Sequence, residues 1–353
     1  VLTSVRSRYS IIVTEDDLKK VVENCYGAKI ISVDAETTGI NPWSDKPVGY
    51  SLSWVEGIAC YIPFGHHHGE QLSEEIVVEA LRPLFRGDKV EIICHNWKFD
   101  LVMSEKQGIP IQAKHDTMIQ AYLTGKYEQM GSEGYVRSGL KNCIANEFSV
   151  HMTPIDEVLA GRGSFAAVPI EIAAPYTCAD ADWTRRLHFR FFPIVGDSLL
   201  YKVEMGIVPA TLEMERTGFP VDREKIDREV ERLKGEIDVL QKVVFRQAYA
   251  MASVKGSVSE IDSLTKTVSF DIGSAPQTAH VFFDLCKLPV LARSKKTQKP
   301  STSKTAMERL RKYPLVSNVI SYRSMVKHLG FLGGLVEYIY PDKRIHCDYL
   351  QAH

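Results

Sequence analysis

No two cysteines in the 353-residue chain stand in a Cys-x-x-Cys pair, and the seven present are odd in number and widely scattered. That spacing argues against a disulfide framework and against a cysteine-ligated zinc site, and it points to a reducing compartment. The N-terminus lacks the blocks of a secretory signal, and no apolar run is long enough to cross a bilayer. A cytoplasmic, soluble protein without a membrane partner is expected. Neither sign of charge is in excess: 43 basic residues against 44 acidic ones leave a net charge of −1. A chain-wide polyanion-binding surface is excluded, and any nucleic-acid contact has to be local. Internal repeats are also missing. Apolar residues are not scarce, at 44%, so a sizeable core is available, and the length predicts two domains.

The first half reads as strands followed by helices. A short edge strand at 9–13 precedes an amphipathic helix opened by Thr14-Glu15-Asp16-Asp17. Strands are expected at 29–34, at 48–54 and 58–64 (joined through Val55-Glu56-Gly57), at 90–94 and at 111–115. Ser73 caps a helix to about residue 85, and the pattern is mostly helical from 116 to about 195. This order predicts an α/β fold with a mixed sheet flanked by helices. The second half differs. Residues 223–249 read as one long helix with a seam at Ile226, Val230, Leu233, Ile237, Leu240 and Val244, spaced for packing against another helix. A Ser/Thr/Lys-rich loop is expected at 252–268, a capping box at Ser274-Ala275-Pro276-Gln277, and a basic loop with Arg293, Lys295, Lys296, Lys299 and Lys304.

Three places hold candidate chemistry. The apolar run from Ile30 ends in Asp34-Ala35-Glu36-Thr37-Thr38-Gly39-Ile40, and residues i and i+2 of a strand share a face. Asp34 and Glu36 therefore repel each other unless a cation lies between them; half of a hard-metal site and two solvent-facing acids are both compatible with the fragment. In His95-Asn96-Trp97-Lys98-Phe99-Asp100, Asp100 falls one turn into a helix, with Asn96 as a substrate contact or merely its cap. Tyr176 and Asp180 are one helical turn apart and share a face. The run His66-His67-His68 lies in a Gly-flanked loop outside this pattern. Gly161-Arg162-Gly163 lacks the strand–turn–helix setting of a phosphate loop.

Taken in order, Asp-x-Glu on a strand, Asn-x-x-x-Asp after a later strand and Tyr-x-x-x-Asp on a later helix resemble the DEDDy 3′→5′ exonucleases. Residues 1–195 most resemble the proofreading domain of family A DNA polymerases, an RNase H-like fold. Supporting matches are Ala-Cys-Tyr-Ile-Pro at 59–63, His115-Asp116-Thr117-Met118, residues 164–171 and Asp180-Ala181-Asp182-Trp183-Thr184. From 196 to 353 the chain is similar to the start of that family's polymerase region, a mostly helical thumb: the lead-in at 213–222, Pro300-Ser301-Thr302-Ser303, residues 322–327, and Arg344-Ile345-His346. No palm or fingers motif follows, so the missing palm and fingers are expected partners and polymerase activity is not expected from this chain alone.

The resemblance implies two Mg²⁺ or Mn²⁺ ions. Asp34 would bridge both, Glu36 and Asp180 would complete the first site, and Asp100 would serve the second through water. Tyr176 would orient the attacking water. Thr37, Ile40, Asn96 and Phe165 are the expected contacts to a single-stranded DNA 3′ end, although Phe165 also reads as a loop anchor. Arg323 and Lys327, one turn apart, would grip duplex DNA at the thumb. Asp116 and Asp182 read as structural supports, and a monomer is expected. Two departures affect substrate details only: Phe99 stands where the family often has Tyr, and His95 where Gln is frequent. The alternatives are an RNase D-like exonuclease acting on RNA and a catalytically silent DNA-binding module.

Overall fold

The computed structural model describes residues 8–42, 44–128, 136–196, 198–256, 269–294 and 297–352. They form two compact units, one of residues 1–216 with 348–353 and the other of residues 217–347.

In the first unit, β1 (Arg8–Ile11), α1 (Glu15–Gly27), β2 (Ile30–Thr37), β3 (Pro47–Val55), β4 (Ile58–Pro63), α2 (Glu74–Phe85), β5 (Glu91–Cys94), α3 (Trp97–Glu105), β6 (His115–Asp116) and α4 (Thr117–Leu123) follow in order. They build a six-stranded sheet ordered β1-β4-β3-β2-β5-β6. β3 is antiparallel to both β2 and β4, while β1, β5 and β6 each run parallel to their neighbours. A small pair, β7 (Tyr127–Glu128) and β8 (Val136–Arg137), leads to α5 (Leu140–Phe148), α6 (Ile155–Leu159), the long α7 (Ile170–Val195) and α8 (Leu199–Thr217).

Alternation along the central strands separates two layers. Ile31, Val33, Ala35, Tyr50 and Leu52 pack with Leu18, Val77, Leu81 and Leu101 on one face. Ala59 and Tyr61 meet Ile170, Ala173, Ala174 and Cys178 of α7 on the other. Because Asp34 and Glu36 sit between the first set in sequence, they face α7.

Two expectations shift. The strand expected at 111–115 reduces to His115–Asp116; Ile111 and Ala113 are buried in the core without joining the sheet. The expected division after residue 195 falls instead after Arg216, since Tyr201, Val208 and Leu212 of α8 are part of the first core. All seven cysteines are unpaired. Among the described residues no helix is long and apolar enough to cross a membrane.

The second unit contains β9 (Phe219–Pro220), α9 (Arg223–Val254), α10 (Ala275–Ala279) with a π-helical turn His280–Leu285, α11 (Lys304–Glu308), α12 (Pro314–Glu337) and β10 (Arg344–Ile345), which pairs with β9. α9 packs along α12. Every residue of the expected seam is buried or half-buried, while the opposite face is exposed and laced with pairs such as Arg223–Asp227 and Lys242–Asp238. The helix runs five residues past the expected end because Ala252 is also buried in this core. The rest of the expected loop, 257–268, lies outside the described residues. Ser274 caps α10 as expected, but Gln277 turns its side chain to the Asp271 N–H, so the box is not reciprocal.

Candidate active site

β2 carries Asp34 and Glu36 on the face that α7 covers, and a register shift at Glu36/Thr37 marks a bulge at the strand's end. Asp180 reaches them from α7. Each of the three acids offers an oxygen, and those oxygens lie within 4.8 Å of one another. Burial and the mutual repulsion of the carboxylates push the acids up. Asp34 rises to about 7 through burial and then Asp180, and Asp180 rises to about 6 through burial. Glu36 is held well above the usual carboxylate range by burial, Asp34 and Asp180. Asp180 Oδ1 is buried without a hydrogen-bond partner, as is the hydroxyl of Ser51, which is paired directly across from Asp34. Buried polar atoms are rarely left so. Converging hard oxygens with an orphaned acceptor fit a hard divalent cation such as Mg²⁺ or Mn²⁺.

Asp100 is near this trio but outside it. Its Oδ1 accepts the N–H of Ala35, between the two strand acids, at 3.0 Å, and burial followed by the Asp34 charge raises its pKa well above normal. The position of α3, and so of Asp100, depends on Asp116. That carboxylate accepts N–H groups from Asn96, Trp97 and Met118. Asn96 itself takes a left-handed conformation, φ 69° and ψ 56°, and its side chain makes no capping bond; the Asn96 capping alternative is therefore not observed. Asp182, two residues beyond Asp180, is saturated instead. It accepts from Tyr9, the Gly57 N–H and the Arg186 guanidinium. Among the three neighbouring histidines, His66 is bonded to Tyr61 and the Val168 carbonyl, which gives it a packing role.

Of the expected substrate contacts, Ile40 is 87% exposed on the turn after β2. That turn is tied by Asp45, which accepts from Thr38 Oγ1 and the Asn41 N–H. A Cβ on Gly39 would come within 2.6 Å of the Asp45 carboxylate, so a larger residue there would displace that side chain from the turn. Thr37 is buried, its hydroxyl donating to the Gly39 carbonyl. Phe165 needs correction: at 4% exposure it packs beside His66 and Tyr176 in the core, so the loop-anchor reading holds and its ring cannot stack on a base as placed. Arg323 is a second correction. Its guanidinium donates to the Ile272 carbonyl, the Thr302 carbonyl and Thr278 Oγ1 within the second unit, which leaves no free fork for a phosphate. Lys327, one turn on, is exposed. Lys295 and Lys296 of the basic loop lie outside the described residues.

One residue at the site carries no sequence motif. Lys141, on α5, donates to Tyr176 Oη at 2.7 Å and stands 3.5 Å from Asp180 Oδ2. The signal that could have found it is a lysine in a helix's first turn with no acid beside it, where the helix dipole disfavours a cation.

Residues 9–195 match the 3′-5′ exonuclease family, and residues 244–353 match DNA polymerase family A. The chain is similar to DNA polymerase I of Pseudomonas aeruginosa, 30% identical over 95% of this chain and 35% of the relative. It is 29% identical to DNA polymerase I of Chloroflexus aurantiacus over 95% of this chain and 34% of the relative. The DNA polymerase of Escherichia phage T5 is 21% identical over 90% of this chain and 38% of its own length. The chain thus spans about a third of the length of these curated relatives. Among solved structures, the POL domain of Pol1 from M. smegmatis, in complex with DNA primer-template and dNTP, shares the fold: TM-score 0.65, 16% identity, covering 96% of this chain and 52% of that one.

Proposed function

The chain belongs to the 3′-5′ exonuclease family of the family A DNA polymerases, and on that premise we propose that it removes nucleotides from DNA 3′ ends by metal-assisted hydrolysis, the proofreading part of a DNA polymerase. The observation that carries this reading is the convergence of Asp34, Glu36 and Asp180 from a strand and a helix to within 4.8 Å.

Asp34 would hold both of two divalent cations, Glu36 and Asp180 one of them, and Asp100 the other through water; bound there, they would stabilise charge on the attacking and leaving oxygens. The protein's own groups do the positioning. Tyr176 orients the attacking water, with Glu36 as the water's other partner. The Thr37 backbone and the Asn96 amide hold the terminal nucleotide, and the exposed Ile40 wedges against the last bases. In the second unit, Lys327 and the basic stretch at Arg293 and Lys299 contact the phosphates of duplex DNA without reading sequence.

The purified chain with Mg²⁺ should shorten single-stranded DNA from its 3′ end, prefer it to RNA of the same sequence, and stop when a chelator is added. Digestion confined to 5′ ends would overturn the proposal. A preference for RNA would favour the RNase D-like reading, and inertness toward both would favour a silent binding module.

A further inference from the structure

Lys141 is the second residue of α5, in a first turn that contains no acid. A cation there faces the positive end of the helix dipole, so its placement is locally unfavourable and calls for a compensating partner elsewhere. That partner is on α7. The Lys141 ammonium lies 4.1 Å from the Tyr176 ring centroid and donates to the phenol oxygen at 2.7 Å. It is also 3.5 Å from Asp180 Oδ2. Contact on both the oxygen and the ring face restrains how the phenol can turn. A phenol offers one donor and accepts on its lone pairs. With Lys141 donating into the oxygen, the phenolic proton is directed away from the ammonium and is left for another acceptor.

We propose that Lys141 is a positioning residue for the hydrolytic step, pinning the Tyr176 hydroxyl so that it presents a fixed proton and a fixed lone pair to the attacking water beside Asp180. The assignment rests on the exonuclease reading of the site. Lys141 acts through Tyr176 and needs no contact with the nucleotide. A lysine that only offsets the clustered acids would behave differently, because cations at the site would take over that task.

The test uses the full chain, a 3′-labelled single-stranded oligonucleotide and saturating Mg²⁺, with Lys141→Met, Lys141→Arg, Tyr176→Phe and the Lys141→Met/Tyr176→Phe double variant. Loss of a charged hydrogen bond made at the reacting centre predicts kcat roughly 10- to 100-fold lower in Lys141→Met. KM, and oligonucleotide binding measured separately in Ca²⁺, should stay within about three-fold of wild type, because no binding contact is removed. Arginine should restore part of the rate, and the double variant should be no slower than Tyr176→Phe alone. Losses that multiply in the double variant would overturn the proposal. So would an unchanged kcat with a lower half-saturating Mg²⁺, the mark of a mere counterion. If Lys141→Met does not fold, Lys141→Gln carries the same comparisons. A wild-type chain that releases nothing from 3′ ends would overturn the exonuclease reading itself, and this inference with it.

Discussion

The two units treat buried charge in opposite ways. In the first, three acids are gathered with one oxygen orphaned and their protons held on by burial and mutual repulsion. In the second, the half-buried Arg323 has a protein partner for each terminal nitrogen and for Nε, and it joins the segments around Ile272, Thr278 and Thr302 to α12. Unsatisfied charge is costly, so its retention in one unit and its full pairing in the other separate a site built for a ligand from a scaffold. The same contrast exists on a single helix. Asp180 and Asp182 are two residues apart on α7, yet one is left with a free oxygen and the other is saturated. Residue type alone does not separate these two acids; the partners around them do.

That contrast can be broken most directly at Asp34. Asp34→Ala should lower 3′-end hydrolysis by at least about 1000-fold, since it would remove a ligand common to both cations. The melting temperature should nonetheless stay near or above that of the wild type, because a repelling buried charge is gone. The pH profile sharpens this point. Asp34 and Asp180 titrate above their ordinary 3.8, at about 7 and about 6, so the folded state binds protons more tightly than the unfolded chain. Their stabilising effect is complete below about pH 4 and disappears as pH rises toward 7. The metal-free wild type should therefore lose melting temperature across pH 4–7, and Asp34→Ala should flatten that slope. A steeper slope in the variant would refute the repulsion.

Arg323→Ala tests the opposite side. With three acceptors left unpaired, the second unit should lose about 2–4 kcal/mol in denaturant unfolding, with 3′-end hydrolysis retained. A stable variant with weakened DNA binding would instead restore Arg323 as a phosphate contact. The smallest effect is expected at the exposed Lys327. Lys327→Ala should weaken duplex binding and reduce the slope of log K against log salt by about one unit; an unchanged slope would remove Lys327 from the interface.

Local regularities made much of this legible in advance. The alternation in β2 puts Asp34 and Glu36 on the face opposite Ile31, Val33 and Ala35, and the one-turn spacing puts Tyr176 and Asp180 side by side on α7. The seam of α9 was readable for the same reason, as was the Ser73 cap of α2. Reading failed where one short residue pattern serves two environments. Phe165 and Arg323 have the composition of surface contacts, but their side chains turn inward. Asp116 and Asp100 are both buried acids, distinguished by how many backbone N–H groups they accept: several for Asp116, and that of Ala35 for Asp100. The unit boundary moved for a similar reason, because the apolar side of α8 could belong to either neighbour.

For this protein, the sequence by itself determined which acids face the same way, since a strand's two-residue period and a helix's four-residue turn are local geometry. It also determined the order of the motifs and the family they resemble. Only the tertiary structure decided that β2 and α7 pack with their carboxylates converging, and that Lys141, distant in sequence from the residues it touches, reaches Tyr176. Such convergence is set by the sum of many weak packing contacts across the sheet, and no spacing along the chain encodes it.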